Sequence, residues 1–338
     1  MPGWMLYVGT EDGVRSVLLD AGFTASITAQ GIEGHAVRGI AIHPDHPEEA
    51  LIGCGLRGWG LYRTRDGGRS YDPVGFKDRW VWDVAYQPGQ PATIWVGTEP
   101  PMIYRSVDGG ESFHPMQAIE HLPSRARWKF FHPPFYAGHI HGFAISAARP
   151  GLVVAGVEHG ALVYSHDAGQ TWHERLVGFD LHRIAIDPKD PHHLLAGAGE
   201  GLFVSGDAGD TWAAVPTMQG KYIHAVIFDP HVPDRVFVYA DIPGSPLYRS
   251  DDNGLTWRTA GVGLPNAQPA DTLCLHPTMP DVMLYAGDTE RRESRLFLST
   301  DAGDTWTMLD LALPKVWRMR GAPAPTLPVE DAAQSMRQ

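Results

Sequence analysis

An all-β fold, a seven-bladed β-propeller of four-stranded antiparallel blades, is what this sequence predicts, and three observations predict it. A short turn motif recurs along the 338 residues at intervals the size of a propeller blade. The same run of short apolar strands precedes each copy. The two ends of the chain supply complementary parts of one blade.

The motif is Ser/Thr-x-Asp-x-Gly-x-Ser/Thr-aromatic. It is met at Thr64–Tyr71, Ser106–Phe113, Ser165–Trp172, Ser205–Trp212, Ser250–Trp257 and Ser299–Trp306. A degenerate seventh copy holds Asp20, Gly22 and Thr24, with Leu18 and Ala25 in place of the leading hydroxyl and the aromatic. The motif reads as a hairpin turn. Aspartate accepts bonds from the turn's N–H groups, glycine supplies positive φ, and the aromatic opens the next strand with a large apolar face. These aspartates are therefore expected to be structural.

Upstream, one strand ends at a proline, as in Gly39–Pro44, Asp83–Pro88, Arg183–Pro188, Ala225–Pro230 and Thr272–Pro277. A second short strand follows, such as Ile94–Gly97, and a third leads into the turn, such as Gly201–Ser205. With the strand after the turn, each unit has four strands in about 45 residues, the length of a blade. The N-terminus opens directly on a second-strand pattern, Met5–Gly9, and residues 315–320 supply a spare strand after the last turn. Joining them closes the ring and leaves no open edge. Residues 1–321 are thus expected to form one domain with a lid-like insertion at about 117–138, followed by a Pro-rich tail, 322–338.

These repeats resemble the Asp-box (BNR) repeats of bacterial sialidases, two-propeller xyloglucanases, Vps10/sortilin ectodomains and photosystem II assembly propellers. The resemblance covers roughly residues 4–321 and implies the fold, while its members include hydrolases, receptors and assembly factors. Sialidases open an arginine triad with a Phe/Tyr-Arg-Ile-Pro segment, which this chain lacks; Arg38, Arg183 and Arg318 do not share one register. Xyloglucanases place their acid/base pair between two propellers, and only one is found here.

Composition narrows the partners. Net charge is −12 and no basic run exceeds two residues, which argues against nucleic acid. No apolar stretch approaches membrane-spanning length, and the first residues do not read as a secretion signal. Only Cys54 and Cys274 occur, so no disulfide framework is expected, and the chain reads as cytoplasmic.

A ligand site is expected where the inner strands enter the axial mouth. Aligning the blade starts puts Arg38, Trp82, His141, His182, His224, Asp271 and Trp317 in one position. The second-strand exits on the same face carry Glu11, Glu99, Glu158 and Asp241, with Glu200 one residue off. His141, His182 and His224 form a candidate site for one divalent transition metal (Zn, Mn or Fe). The same trio also suits metal-free acid/base work, or merely a wet tunnel. Glu158 or Asp241 would orient a ligand or act as base, and Arg38 would meet an anionic group. The insertion, with Phe131, His132 and Tyr136, would wall a pocket shared with Trp82 and Glu99; Trp59 and Trp80 extend the aromatic rim. The expected activity is metal-assisted hydrolase-like or lyase-like chemistry on a small polar or carbohydrate-derived molecule. The alternatives are a binding or assembly scaffold for a protein or peptide, and a glycosidase using paired carboxylates.

Overall fold

A computed structural model describes residues 3–130, 133–135, 137–242, 246–266, 271–290 and 293–324. Among them the strands form seven four-stranded antiparallel sheets, arranged as the blades of a propeller. Blade one joins β1 (Trp4–Thr10), β2 (Gly13–Leu19) and β3 (Ala25–Gly31) to the last strand of the chain, β28 (Val316–Pro323), as its innermost member. Trp4 pairs with Pro323 and Val8 with Met319, so the ring is closed by hydrogen bonds between the two ends of the chain. The closing strand runs three residues past the expected 320 and takes in the start of the expected tail; residues 325–338 lie outside the described residues.

Blades two to seven follow in order, each from inside to outside. Their inner strands are β4 (Val37–Ile42), β8 (Trp80–Gln87), β12 (His139–Ile145), β16 (Leu181–Ile186), β20 (Ile223–Phe228) and β24 (Leu273–Leu275).

The turn motif builds the hairpin between third and fourth strands. In the last copy Ser299 Oγ donates to Asp301 Oδ1 (2.8 Å), and Asp301 accepts from Thr305 N (2.8 Å) and Thr305 Oγ1 (2.5 Å). Gly303 N returns a bond to Ser299 Oγ, at φ +90°, where only glycine sits without strain. The other five full copies repeat this network, and the degenerate copy keeps the bonds from Gly22 N and Thr24 N to Asp20. Four copies end in a tryptophan whose Nε1 donates to the motif's own glycine carbonyl.

Blades pack through glycines of the second strands. A Cβ on Gly53 would lie 2.5 Å from Val81, on Gly97 2.5 Å from Ile140 and on Gly197 2.6 Å from Ile223, in each case the inner strand of the next blade. Absence of a side chain lets adjoining sheets approach closely.

Candidate functional site

The inner strands are interrupted near their entry by β-bulges. Register shifts fall between Val37 and Gly39, Val81 and Asp83, Ile140 and Gly142, Leu181 and Ile184, and Ile223 and Ala225. The residues left unpaired include Arg38, Trp82, His141, His182 and His224; Trp317 is skipped in the same way where β28 pairs with β1. A bulge bends its strand and re-aims the extra side chain. The shared sequence position thus has a common structural cause. Asp271 departs from it: β24 is short, and Asp271 turns to a different cluster.

At the mouth the centre of the network is Glu158, at the end of the second strand of blade four. Its Oε2 lies 2.7 Å from His139 Nε2 and 3.1 Å from His141 Nδ1, the latter not aligned for a hydrogen bond. His139 Nδ1 faces Glu99 at 3.4 Å, and Trp82 Nε1 donates to the same carboxylate at 3.1 Å. Trp82 stacks on His139 with ring centres 3.7 Å apart. On the adjoining blade Asp180 approaches His182 Nε2 (3.5 Å) and accepts from the Tyr222 hydroxyl (2.7 Å). His182 Nδ1 donates to Ile223 O, which fixes its tautomer.

These contacts divide the imidazoles by charge. Burial opposes charge on His139, but Glu158 and Glu99 outweigh it and raise its pKa to about 8. His141 is pushed down to about 4 by burial, against the pull of Glu158. His224, buried beside two other imidazoles, falls to about 3. His182 is raised against burial, with Asp180 its main support. Glu158 is held well below the usual carboxylate range by the two histidines, despite the opposing effect of burial.

The expected trio does line up around the axis, His141 to His182 at 5.4 Å and His182 to His224 at 5.5 Å between ring centres. Donor atoms close enough to share a cation nevertheless fall in other combinations among the described residues: His139, His141 and Glu158, or Glu158, Asp180 and His182. His224 and Asp241 belong to neither. Asp241 instead accepts from Asn266 at 2.7 Å. His139, Asp180 and Tyr222 escaped the sequence reading; the signal for His139 was its i, i+2 spacing from His141 on one strand.

Arg38 is buried between two indoles, its guanidinium carbon 3.9 Å from the Trp317 ring centre and 4.8 Å from that of Trp82. The insertion divides in two. Ile119, Leu122 and Trp128 are buried in the blade-four core, Trp128 Nε1 donating to Ser124, while Phe130 and Phe135 pack over His139 and Trp82. Phe131, His132 and Tyr136 lie outside the described residues. Trp59 is half exposed and tilts against Trp80.

Below the mouth, an ionic plug crosses the axis. Arg183 bonds Asp83 (2.8 Å) and Asp271 (2.6 Å), Arg318 bonds Asp83, and Arg320 bonds Asp271 (2.6 Å). Gly142 makes room, since a Cβ there would be 2.9 Å from Arg183 Cδ and Nη1. Beyond the plug lies a cavity of about 370 Å³, lined by apolar side chains such as Phe143, Val226 and Leu273 and by the charged Arg183, Asp271 and Arg320. Both cysteines are free and buried, and no helix among the described residues is long and apolar enough to cross a membrane.

Known proteins bear on this architecture. The BNR/Asp-box repeat model matches residues 163–174, and the model described as sortilin, neurotensin receptor 3, matches residues 200–331. A xyloglucanase of Acetivibrio thermocellus is 26% identical over 240 residues, 64% of this chain and 25% of the relative. Sortilin of Rattus norvegicus is 29% identical over 221 residues, 62% of this chain and 24% of the relative. The chain thus spans about a quarter of the length of these relatives. Among solved structures, a GH74 xyloglucanase of Xanthomonas campestris superposes with a TM-score of 0.67 at 18% identity, over 94% of this chain and 52% of that one. A Lactobacillus plantarum protein gives 0.67 at 10% identity, over 95% and 100%. At these identities the structural likeness is one of fold. Six full turn motifs and the closed ring show a seven-bladed β-propeller whose hairpins are of the Asp-box (BNR) type, as the match at residues 163–174 also shows.

Proposed function

We propose that this propeller is a hydrolase acting on a polar, carbohydrate-derived ligand seated in the axial mouth, with Glu158 and His141 activating water. The observation that carries the reading is the buried Glu158 carboxylate, kept ionised chiefly by His139, on whose ring the lid's Phe130 packs. Neutral His141 retains 17% of its side-chain surface and is the accessible partner. His182, its pKa raised by Asp180 against burial, stands beside it in the place of the acid. The xyloglucanase relatives support a carbohydrate ligand.

A pair of carboxylates alone suits the site less well. A glycosidase acid must hold a proton, and both Glu158 and Asp180 are pushed down. In this reading an imidazolium takes the acid role. The test is reducing-end release from neutral and acidic oligosaccharides by the full chain and by Glu158→Gln. Turnover falling by about 10²- to 10⁴-fold in the variant is expected; a wild-type chain inert on the whole panel, or a fully active variant, overturns the reading.

A second reading rests on the convergence of His139, His141 and Glu158 donor atoms within 4.8 Å. There a divalent cation, Zn, Mn or Fe, would replace the shared proton and lower the pKa of bound water. Elemental analysis of untagged protein decides it: about one metal per chain, lost in folded His141→Ala, favours the metal. None after supplying each ion removes it.

A further inference from the structure

We infer that Arg38 is an anion-recognition residue, and that the ligand of the axial mouth carries a negatively charged group that completes its guanidinium. This deepens the proposed function and rests on it only in placing the ligand at the mouth.

Arg38 keeps 7% of its surface open, yet its guanidinium forms no hydrogen bond or ion pair within the described residues, and Nε is buried without a partner. Elsewhere the axis treats arginine differently. Arg183, Arg318 and Arg320 are each tied to Asp83 or Asp271. The carboxylates nearest the mouth are already engaged, Glu99 by Trp82 and His139, Glu158 by His139 and His141. Trp82 and Trp317 cover the guanidinium by cation–π contact, which satisfies its charge in part but leaves its N–H edge unpaired.

A planar fork of donors, held by its flanks with its edge free, matches the paired oxygens of a carboxylate or the oxygens of a phosphate. The Trp317 indole that covers Arg38 also has its Nε1 buried with no hydrogen-bond partner within the described residues. Burial is costly for a cation and lowers the Arg38 pKa to about 9; Glu158 offsets this only in part, and Arg318 adds to it. An arriving anion would relieve that cost, whereas a neutral sugar would not. Specificity for acidic over neutral sugars follows from the unpaired charge itself.

The experiment measures binding of glucuronate, glucose 6-phosphate and glucose to the full chain by calorimetry. None of these contains a glycosidic bond, so recognition is read separately from cleavage, and failure of one leaves the other standing. At least one anionic sugar is expected to bind about tenfold or more tightly than glucose. Glucuronate leading indicates a carboxylate ligand, and glucose 6-phosphate leading indicates a phosphate. Arg38→Met, which keeps an apolar stem between the indoles, should abolish the gap. Should it fail to fold, Arg38→Lys keeps the charge and loses the fork, and must weaken the preferred anion severalfold. Equal affinity for all three sugars, no measurable binding of either anionic sugar, or an anion preference unchanged in the folded variant overturns the inference.

Discussion

His139 is boxed in on every side: Trp82 and Phe130 on its ring faces, Glu158 and Glu99 at its two nitrogens. Its charge is therefore a matter of stability as well as chemistry. A histidine whose folded pKa stands at about 8, above the ordinary 6.5, stabilises the fold fully below 6.5 and loses that contribution as pH rises through 8. The shift corresponds to about 2 kcal/mol. His224 works in the opposite sense. Its folded pKa of about 3 means the unfolded chain takes up a proton first, so stability falls as pH drops below 6.5. Chelator-treated protein should accordingly be most stable near pH 6.5. Urea unfolding between pH 5 and 9 checks this, and His139→Gln should flatten the alkaline limb; a limb of unchanged slope would remove His139 as its cause.

At the scale of strands, two devices position the site. Bulges turn side chains of five inner strands and of the closing strand toward the axis, and second-strand glycines let the next blade's inner strand seat itself. The two meet at Gly97, against which Ile140 packs, one residue before the bulge that carries His141. Gly97→Ala puts a methyl group 2.5 Å from Ile140 and should cost about 1–3 kcal/mol by overpacking. Thermal unfolding measures the loss. Because the strain falls on the bulged strand, ligand affinity should drop with stability, whereas a variant of unchanged melting temperature would show that the blades have slack there. The periodicity of strands was legible in the sequence because alternating apolar residues and the turn motif are local signals. The shared position of Arg38, Trp82, His141, His182 and His224 was legible too, because the repeat aligns. His139 and Asp180 were not, since each reaches the cluster only after its strand is bent and its neighbour blade docked.

For the whole molecule, closure is the controlling feature. β28 hydrogen-bonds to β1 from Trp4 to Thr10 and also contributes Arg318 and Arg320 to the plug and Trp317 to the Arg38 sandwich. Ending the chain at Lys315 would expose the edge of β1 and leave Asp83 and Asp271 facing fewer cations. Such a truncation should lose cooperative unfolding and aggregate, while ending it at Ala324 should change neither. Size-exclusion chromatography with thermal melts distinguishes the two; a soluble, cooperative 1–315 chain would mean that closure is dispensable.

The sequence by itself determined the number of blades, the hairpin turns, the closing strand and the one position per blade that faces the axis. All of these rest on residues close together in the chain or repeated along it. The tertiary structure alone decided which of those side chains meet. Arg183, Asp83 and Asp271 come from three blades and form the plug because charges taken from water must find partners across the channel. Glu158 chose His139 and His141 over a more distant trio, since strand register places both imidazoles beside one carboxylate oxygen. Arg38 was left between two indoles with its donors unspent. No local pattern encodes which charges a closed ring brings together, because that pairing exists only once seven blades surround a single axis.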